Sequence, residues 1–594
     1  MYLLGISCFY HESAVCLIKD GKVVAASAEE RFSRIKHDSG FPELAIKFCL
    51  EFAGINIDQV DYIVFYEKPF WKFQRVLMSA LGTYPGSSRL FAKGMLNFLS
   101  DKLWVRSIIA DKLKIDPGKI LFVPHHISHA ASAFYPSGFS EAAILTVDGV
   151  GEWTTTTLSR GVGNNIYVDS EIRFPHSLGL LYSVFTAFLG FEVNDGEYKV
   201  MGMAPYGKPK YIDKVRKLVR VFKDGSYALN MEYFTFHKSA DKAYSGKFKK
   251  LFGKPRPRDL YFFTKSSGYP KYFGEKPKNY EELCETNQHY ADIAASIQAF
   301  TEEQLLKLAN ALYKKTKMEN LCIAGGVGLN SVANGILLDK GPFKRIFVQP
   351  AAGDDGGAMG AAFYAYHGIL GKKRVYAQDN SYFGASFKND EIEKILKSKK
   401  IKYQKILDEK KLIAYLADAL TREKVIGFFH GRAEWGPRAL GARSIMASPR
   451  TEGMKEVVNT KIKFREPYRP FAPVTLEEKI AEYFEVGKLE HQNLTRFMLA
   501  VFPVKNSKKK VIPAVTHVDG SGRVQIINRD QNSRYYDLIN EFGKKTGVYV
   551  LMNTSFNLKG EPVVNSPEDA LKTFKASGLD ILALENCIIR KEDL

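Results

Sequence analysis

The sequence lacks the features that mark secreted, membrane-spanning and zinc-ribbon proteins. Its six cysteines are scattered and form no CxxC pair, which excludes a zinc ribbon or a dithiol redox motif and favours a reducing compartment. No run approaches the roughly 18 apolar residues that span a bilayer. Met1 leads directly into the strand-like run YLLGI, so we expect no targeting segment. These absences predict a cytoplasmic protein without a membrane partner.

Acidic residues are in the minority, and two nucleotide-binding fingerprints are missing. The 85 Lys and Arg against 65 Asp and Glu give a formal charge of +20. The stretch from Lys208 to Lys278 holds 19 of the basic and 6 of the acidic residues. Such a local excess attracts an anionic substrate, a membrane surface or RNA, or is the solvated face of an ordered insertion. The sequence contains neither GxxxxGKS/T nor a complete GxGxxG, which excludes a P-loop and a Rossmann fingerprint.

What the sequence does contain is a repeated strand pattern. The segments MYLLGISCFYHESAVCLIKDGKVVAA and EAAILTVDGVGEWTTTTLSRG each indicate a strand, a polar turn and a further strand. Two such segments separated by helical sequence predict an α/β chain whose N-terminal domain has the duplicated actin/hexokinase-like ATPase fold. Two unrelated hairpins are the alternative.

The 594 residues are enough for two to four domains. Near residues 366–385 the pattern loosens, and the remainder alternates short strands with helices. We therefore predict an N-terminal domain at 1–370, with a basic insertion at about 208–280, and a second α/β domain at 371–594.

A metal site is predicted in the first domain. His125 and His129 lie four residues apart in VPHHISHAASAF, and on a helix that starts near His125 both imidazoles project from one face. Asp148 and Asp354 follow apolar strands that the duplicated fold brings together, with Asp355 as the alternative to Asp354. Two His and two Asp suit Fe, Mn or Zn with open positions for ligand oxygens. Ordinary packing of the two histidines is the competing interpretation.

A glycine-rich turn and a group of basic residues predict sites for anions. The strand LCIAGG runs into the turn Gly325-Gly326-Val327-Gly328 and then into helix-like NSVANGIL, an order that presents backbone amides to a nucleotide. In the second domain, fixed guanidiniums among Gly and Pro favour phosphate or carbamate-like oxyanions, with a solvated basic surface as the alternative. These basic residues are Arg432, Arg438, Arg443, Lys461, Lys463, Arg465, Arg469 and Arg523.

Eleven motifs, in order along nearly the whole chain, carry a family resemblance. They are LGISCFYHESA, EERFSRIKHDSGFP, HHISHAASAF, TVDGVGEW, GEYKVMGMAPYG, GGVGLNS, GDDGGAMGAA, GRAEWGPRALGARS, KFREPYRPFAP, HVDGSGRVQ and MNTSFN. The chain resembles the carbamoyltransferases of antibiotic biosynthesis and nodulation, such as the cephamycin and nebramycin carbamoyltransferases and nodulation protein U.

The resemblance implies a reaction in two steps. The C-terminal part is similar to threonylcarbamoyl-adenylate synthases, and there carbamoyl phosphate and ATP would give carbamoyl-adenylate. The N-terminal part is similar to the metal-binding domain of threonylcarbamoyl transferases, and there an acceptor hydroxyl would take the carbamoyl group as AMP leaves. A homodimer and a small-molecule hydroxyl acceptor are implied as well.

The resemblance also implies roles for individual residues. His125, His129, Asp148 and Asp354 match the metal ligands, with iron as the implied metal. His11 matches the general base on the acceptor hydroxyl, and Lys36 matches a contact to the carbamoyl-adenylate. The remaining matches concern nucleotide and carbamoyl phosphate: Gly325, Gly326 and Asn330 in the adenosine pocket, and Arg438, Lys463, Arg469, Arg523, Asn553 and Ser555 in the site for carbamoyl phosphate and ATP.

The strongest rival is an enzyme that modifies nucleic acid. A fused threonylcarbamoyl-adenosine tRNA-modifying enzyme would use the same two fold types, and the charge of +20 favours it. The motifs GPRALG, KFREPYRPFAP and NTSFN resemble the small-molecule family instead. We therefore predict no nucleic-acid partner. The basic stretch matches no family motif, and its charge predicts a neutral or anionic acceptor.

Overall fold

The chain divides into two units in this computed structural model, which describes residues 1–88, 91–92, 103–239, 241–258, 260–270, 273–466, 468–487 and 492–594. The first unit consists of Met1–Glu29, Ser39–Tyr261 and Glu281–Gln378. The second consists of Glu30–Asp38, Phe262–Tyr280 and Asp379–Leu594. The packing therefore groups two short segments of the N-terminal half with the second unit.

Two sheets of five strands form the centre of the first unit. Their strands are β1 (Tyr2–Ser7), β2 (Ala14–Lys19), β3 (Lys22–Ala28), β4 (Tyr62–Phe65), β5 (Ile120–Phe122), β6 (Glu141–Val147), β7 (Thr154–Val162), β8 (Asn165–Arg173), β11 (Asn320–Ala324) and β12 (Arg345–Val348). A separate pair consists of β9 (Val219–Val221) and β10 (Tyr227–Leu229).

The two sheets have the same topology. The first has the order β3-β2-β1-β4-β5 and the second β8-β7-β6-β11-β12. In each, the first three strands of the chain pair antiparallel, and the next two add in parallel to the other edge of the first strand. This repetition confirms the predicted duplicated actin/hexokinase-like fold, because two unrelated hairpins would not share strand order and direction.

Helices surround these sheets in the described part of the first unit. They are Glu43–Ala53, Pro69–Gly82, Val105–Leu113, His125–Phe134, Leu178–Phe188, Glu197–Met203, Ile212–Arg216, Gly246–Phe252, Tyr280–Thr316, Ser331–Lys340 and Asp354–Phe363.

Small residues let two central helices approach the neighbouring backbone. An ideal Cβ on Gly360, in the helix Asp354–Phe363, would lie 1.8 Å from the carbonyl oxygen of Ser128 in the helix His125–Phe134. A Cβ on Gly5 of β1 would lie 1.9 Å from the carbonyl oxygen of Ala358. No side chain fits at such distances. The run GDDGGAMGAA therefore packs backbone against backbone.

The second unit is built on a mixed sheet of eight strands. They are β13 (Gln404–Lys405), β14 (Ile426–Phe429), β15 (Arg443–Ala447), β16 (Ala472–Leu476), β19 (Gln525–Ile527), β20 (Val550–Ser555), β21 (Ile581–Leu584) and β22 (Cys587–Arg590), with β17 (Val501–Pro503) and β18 (Ser521–Arg523) as a separate pair. The order is β13-β22-β21-β14-β15-β20-β16-β19, in which β14/β21 and β16/β19 are parallel.

The second unit's helices lie along this sheet and its loops. They are Glu30–Ser33, Asn389–Ser398, Glu409–Thr421, Gly453–Val457, Ile480–Tyr483, Gln492–Arg496, Ser533–Thr546 and Pro567–Ala576. The second unit thus has the mixed α/β character that the sequence predicts.

Within the described ranges, no helix combines the length and apolar character that a bilayer crossing needs.

The contact at Gly360 predicts a large loss of stability on a small substitution. Gly360→Ala should destabilise the protein by about 1–3 kcal/mol, because the added methyl group meets a backbone oxygen that cannot rotate away. The matched control is Gly82→Ala, since a Cβ on Gly82 meets nothing within 4 Å. Thermal and denaturant unfolding of both variants measure the difference. An unchanged Gly360→Ala protein would contradict the packing.

Candidate functional site

Four buried side chains converge in the first unit. One donor atom from each of His125, His129, Asp148 and Asp354 lies within 4.8 Å of the others. The Nε2 atoms of the two histidines are 3.0 Å apart. His125 Nε2 lies 3.3 Å from Asp148 Oδ2 and 3.6 Å from Asp354 Oδ1. His129 Nε2 lies 3.4 Å from Asp354 Oδ1. The structure therefore brings together the four residues that the sequence predicts as metal ligands.

Regular elements place these four side chains. The helix His125–Phe134 starts at His125, so His129 follows one turn later on the same face. Asp148 comes directly after β6, and its Oδ1 accepts a hydrogen bond of 2.9 Å from the backbone of Gly326. Asp354 is the first residue of the helix Asp354–Phe363.

Two neighbours lie outside this set of donors. Asp355, the alternative ligand, accepts a hydrogen bond through Oδ1 from the backbone of Gly356 at 2.9 Å. His126 pairs through Nδ1 with Thr146 Oγ1 at 2.7 Å. Burial and the charges of the two adjacent histidines lower the pKa of His126 to about 3. His126 is therefore a neutral core residue, and Asp354 takes the position in the cluster.

The electrostatics of the cluster favour a bound cation. Burial would raise the pKa of Asp148 and of Asp354, but the adjacent histidines hold both well below the ordinary value. Burial would lower the pKa of His125, but Asp354 and Asp148 outweigh it and raise the pKa to about 9. In the metal-free protein a proton on His125 thus compensates the carboxylates.

The chemistry of the four donor residues also fits a bound metal ion. Asp354 Oδ1 is buried and has no hydrogen-bond donor among the described residues, although it lies within 3.6 Å of both imidazole Nε2 atoms. A buried carboxylate oxygen without a donor is costly unless a cation faces it. Two imidazoles and two carboxylates with converging lone pairs fit a divalent transition metal.

His11 and Tyr66 lie near Oδ2, the second carboxylate oxygen of Asp354. His11 Nε2 lies 3.6 Å from Asp354 Oδ2, and the hydroxyl of Tyr66 donates to the same oxygen at 3.5 Å. The other ring nitrogen of His11, Nδ1, is buried and has no hydrogen-bond partner in the described part of the chain. His11 therefore borders the cluster with Nε2 directed to Asp354, while Nδ1 lies 4.0 Å from Glu12 Oε2.

The glycine-rich turn lies beside the cluster. Gly325 has a φ of 92°, and a Cβ there would lie 2.3 Å from the carbonyl oxygen of Val147, so only glycine fits. Asn330 is committed to the fold. Its Oδ1 accepts from the backbone of Ala333 at the start of the helix Ser331–Lys340, and its amide exchanges hydrogen bonds with Gln298.

Lys36 belongs to the second unit in this structure, within Glu30–Asp38. Its charge contributes to lowering the pKa of Lys463, after burial and the charges of Arg465 and Arg469. The sequence groups Lys36 with the first-domain site, whereas the fold groups it with the basic residues of the second unit.

Several guanidiniums cluster in the second unit. Burial and then the charges of Arg438, Arg465 and Arg469 hold the pKa of Arg523 well below its ordinary value. Arg523 Nε has no hydrogen-bond partner among the described residues. Glu466 is one acid in this group, and its Oε2 lies 3.5 Å from Arg469 Nη1. This excess of positive charge fits an anionic ligand.

Three of the predicted ligand-binding side chains in the second unit make internal hydrogen bonds. Lys463 Nζ donates to the carbonyl oxygen of Ser555 at 2.8 Å and to Asn557 Oδ1 at 2.6 Å. Ser555 Oγ donates to Asn557 Oδ1 at 2.7 Å. Asn553 Nδ2 donates to the carbonyl of Ala439 at 3.0 Å. These contacts fix the end of β20.

Arg443 has a structural role. It is fully buried, it donates to the carbonyl oxygens of His430, Gly431 and Ala385, and its guanidinium lies 3.6 Å from the ring centroid of Phe429. Backbone carbonyls thus take hydrogen bonds from both Nη1 and Nη2.

The sequence analysis missed two basic groups near the guanidiniums. Burial and the charge of Arg465 lower the pKa of Lys455. Burial lowers the pKa of His517 to about 4, and the charges of Arg523 and Lys455 contribute. His517 is the first residue of the motif HVDGSGRVQ, and this position is the feature of the sequence that could have pointed to it. No such feature points to Lys455.

Comparison with known proteins assigns the family. Residues 2–363 match the family model described as carbamoyltransferase N-terminus, and residues 417–591 match that described as carbamoyltransferase C-terminus. The uncharacterized protein sll1178 of Synechocystis is 45% identical over 99% of this chain and 97% of its own length. Nodulation protein NolNO of Sinorhizobium fredii is 35% identical over 98% of this chain and 79% of its own.

Similarity to solved structures is weaker. The HypF structure from T. kodakarensis is 16% identical over 62% of this chain and 48% of its own length, with a TM-score of 0.30. The family models and the full-length relatives decide the assignment: the chain belongs to the carbamoyltransferase family and is an enzyme.

Proposed function

We propose that this carbamoyltransferase is ATP-dependent and works in two steps. In the second unit, water cleaves carbamoyl phosphate to carbamate and phosphate, and the carbamate oxygen then attacks the α-phosphorus of ATP to give carbamoyl-adenylate with release of pyrophosphate. The first unit transfers the carbamoyl group to the hydroxyl of a small-molecule natural product or sugar, with release of AMP. The observation that carries the proposal is the cluster of four donors within 4.8 Å, in a chain whose other unit concentrates guanidiniums.

The guanidinium cluster supports an activation step in the second unit. Carbamoyl phosphate and ATP are both polyanions, and the charges of Arg438 and Arg469 act on Arg523 strongly enough to lower its pKa. Preorganised guanidiniums bind such anions and stabilise charge that develops during phosphoryl transfer. Lys36 would contact the carbamoyl-adenylate from this unit, beside Lys463. Lys463, Asn553 and Ser555 would hold the loop that faces these anions.

His11 is the proposed general base of the transfer step. If its Nε2 carries a proton that points to Asp354 Oδ2, 3.6 Å away, the buried Nδ1 presents a lone pair. That nitrogen would accept the proton of the acceptor hydroxyl, as histidine does in general base catalysis. Gly325, Gly326 and Asn330 form the turn beside the four-residue cluster. Adenosine would bind at this turn.

A divalent metal is part of the proposal, with iron as the candidate. His125, His129, Asp148 and Asp354 would hold it. When bound, it supplies Lewis acidity that stabilises charge on the phosphate of the departing AMP. The protein residues orient the donors, exclude water from the buried cluster and move the hydroxyl proton.

We also propose what this enzyme binds and how it assembles. The exposed lysines of the basic stretch, among them Lys208, Lys217, Lys249 and Lys250, disfavour a cationic acceptor and favour a neutral or anionic one. We propose a homodimer in the cytoplasm, with no nucleic-acid or membrane partner.

Removal of a ligand should remove the metal. His129→Ala should lower the bound metal from about one ion per chain to less than about a tenth of that, because three donors in an enlarged cavity bind weakly. His126→Asn is the matched control, since His126 is equally buried but bonds to Thr146. Elemental analysis of the purified proteins gives the stoichiometry. Equal metal content in wild type and His129→Ala would contradict the assignment of His129 as a metal ligand.

Metal affinity should increase with pH. The raised pKa of His125, about 9, means that metal binding at neutral pH must displace a proton. Below pH 9, each unit of pH should therefore increase the apparent affinity by up to about tenfold. Titration of the metal-free protein with Co²⁺ at pH 6.5, 7.5 and 8.5, corrected for buffer and hydroxide, measures this slope. An affinity independent of pH in this range would rule out a protonated His125 in the free site.

The two steps should separate by mutation. Arg469→Ala should slow formation of carbamoyl-adenylate by roughly 100-fold or more and spare transfer from supplied carbamoyl-adenylate. His11→Asn should do the reverse, with a loss of about 100-fold or more in transfer. Lys410→Ala, at an exposed position of the second unit, should leave both rates unchanged. Loss of both steps in either variant would refute separate sites.

A further inference from the structure

The loop of residues 148–153 contacts His125 at three points. Asp148 Oδ2 lies 3.3 Å from His125 Nε2. Gly151 approaches the ring so closely that an added Cβ would lie 2.8 Å from His125 Cδ2. The carboxylate of Glu152 accepts hydrogen bonds from the backbone N–H of His125, at 2.9 Å to Oε1 and 3.2 Å to Oε2. One loop thus contacts the ring, its Nε2 and its backbone.

Glu152 also supplies a cap that the helix itself lacks. The residue before His125 is Pro124, and no side chain at that position accepts a hydrogen bond. The first N–H groups of a helix have no partner within it, and a carboxylate there is favoured by the helix dipole. Glu152 is 5% exposed and takes this role from a distant point in the chain.

The same carboxylate joins a second helix. Glu152 Oε1 accepts a hydrogen bond of 2.8 Å from the backbone of Lys68, which precedes the helix Pro69–Gly82. Arg75, a buried residue of that helix, donates from Nη1 to the carbonyl oxygen of Gly151 at 2.8 Å. The helix Pro69–Gly82 and the residue before it therefore also hold the loop, which leaves the loop little freedom to shift.

We propose that Glu152 is a positioning residue of the metal site. It fixes the start of the helix His125–Phe134, and with it the direction of both imidazoles, while Asp148 in the same loop supplies a carboxylate. Glu152 is not itself one of the four donors. The inference rests on the proposed metal site and deepens it. Outer groups that orient ligands commonly account for 10–100-fold in metal affinity, an order-of-magnitude range.

The test is a Co²⁺ titration of the metal-free full chain. The affinity and the visible absorption of bound Co²⁺ report the ligand geometry without any need for activity. Glu152→Ala removes the acceptor. Glu152→Gln keeps one acceptor oxygen and loses the charge. The matched control is Glu29→Ala, because buried Glu29 accepts from the backbone of Leu44 and Ala45 at another helix start of the same unit.

We expect Glu152→Ala to bind Co²⁺ about 10–100-fold more weakly with an altered spectrum, and Glu152→Gln to fall between it and wild type. Glu29→Ala should lower the melting temperature but keep the affinity and spectrum. Wild-type binding by Glu152→Ala would overturn the inference, as would an equal loss of affinity in Glu29→Ala. A wild-type chain that binds no Co²⁺ would overturn the metal site and this inference together.

Discussion

Buried charge must be matched by charge of the opposite sign, and both candidate sites follow from this constraint. In the first unit, Asp148 and Asp354 are ionised in a place that water barely reaches, and two imidazoles face them. In the second, the charges of Arg438, Arg465 and Arg469 act on the buried Arg523 and lower its pKa. Burying charges of one sign together is costly, and a charge of the opposite sign offsets that cost. Under the proposed function, a metal ion would offset the first set of charges and phosphate-bearing substrates would offset the second.

The fold makes the first site precise by close packing of backbones. Gly360 lets the helix Asp354–Phe363 lie directly against the helix His125–Phe134. Gly5 lets β1 approach the helix Asp354–Phe363 equally closely, at Ala358. Because interiors packed this densely have low compressibility, the four donors have little freedom to rearrange. The loop with Asp148 adds a further restraint, since it reaches the backbone of His125 through Glu152. Ligand geometry is thus a property of the core.

Regular periodicity explains what the sequence predicts. The spacing of His125 and His129 and the positions of Asp148 and Asp354 after strands depend only on helix pitch and sheet topology. The grouping of Lys36 with the second unit depends on the path of the chain, and the contacts of Lys463 depend on which carbonyls lie within its reach. Long side chains on irregular segments choose partners through tertiary packing, which spacing does not encode. The motif resemblance supplied their roles, not their geometry.

The central claim is that the chain activates carbamoyl phosphate with ATP before any acceptor is present. The most direct measurement incubates the purified protein with both substrates alone, follows pyrophosphate release and detects carbamoyl-adenylate by mass spectrometry. The account predicts both products. Absence of both would contradict it, and pyrophosphate release with threonine and bicarbonate in place of carbamoyl phosphate would indicate the tRNA-modifying chemistry instead.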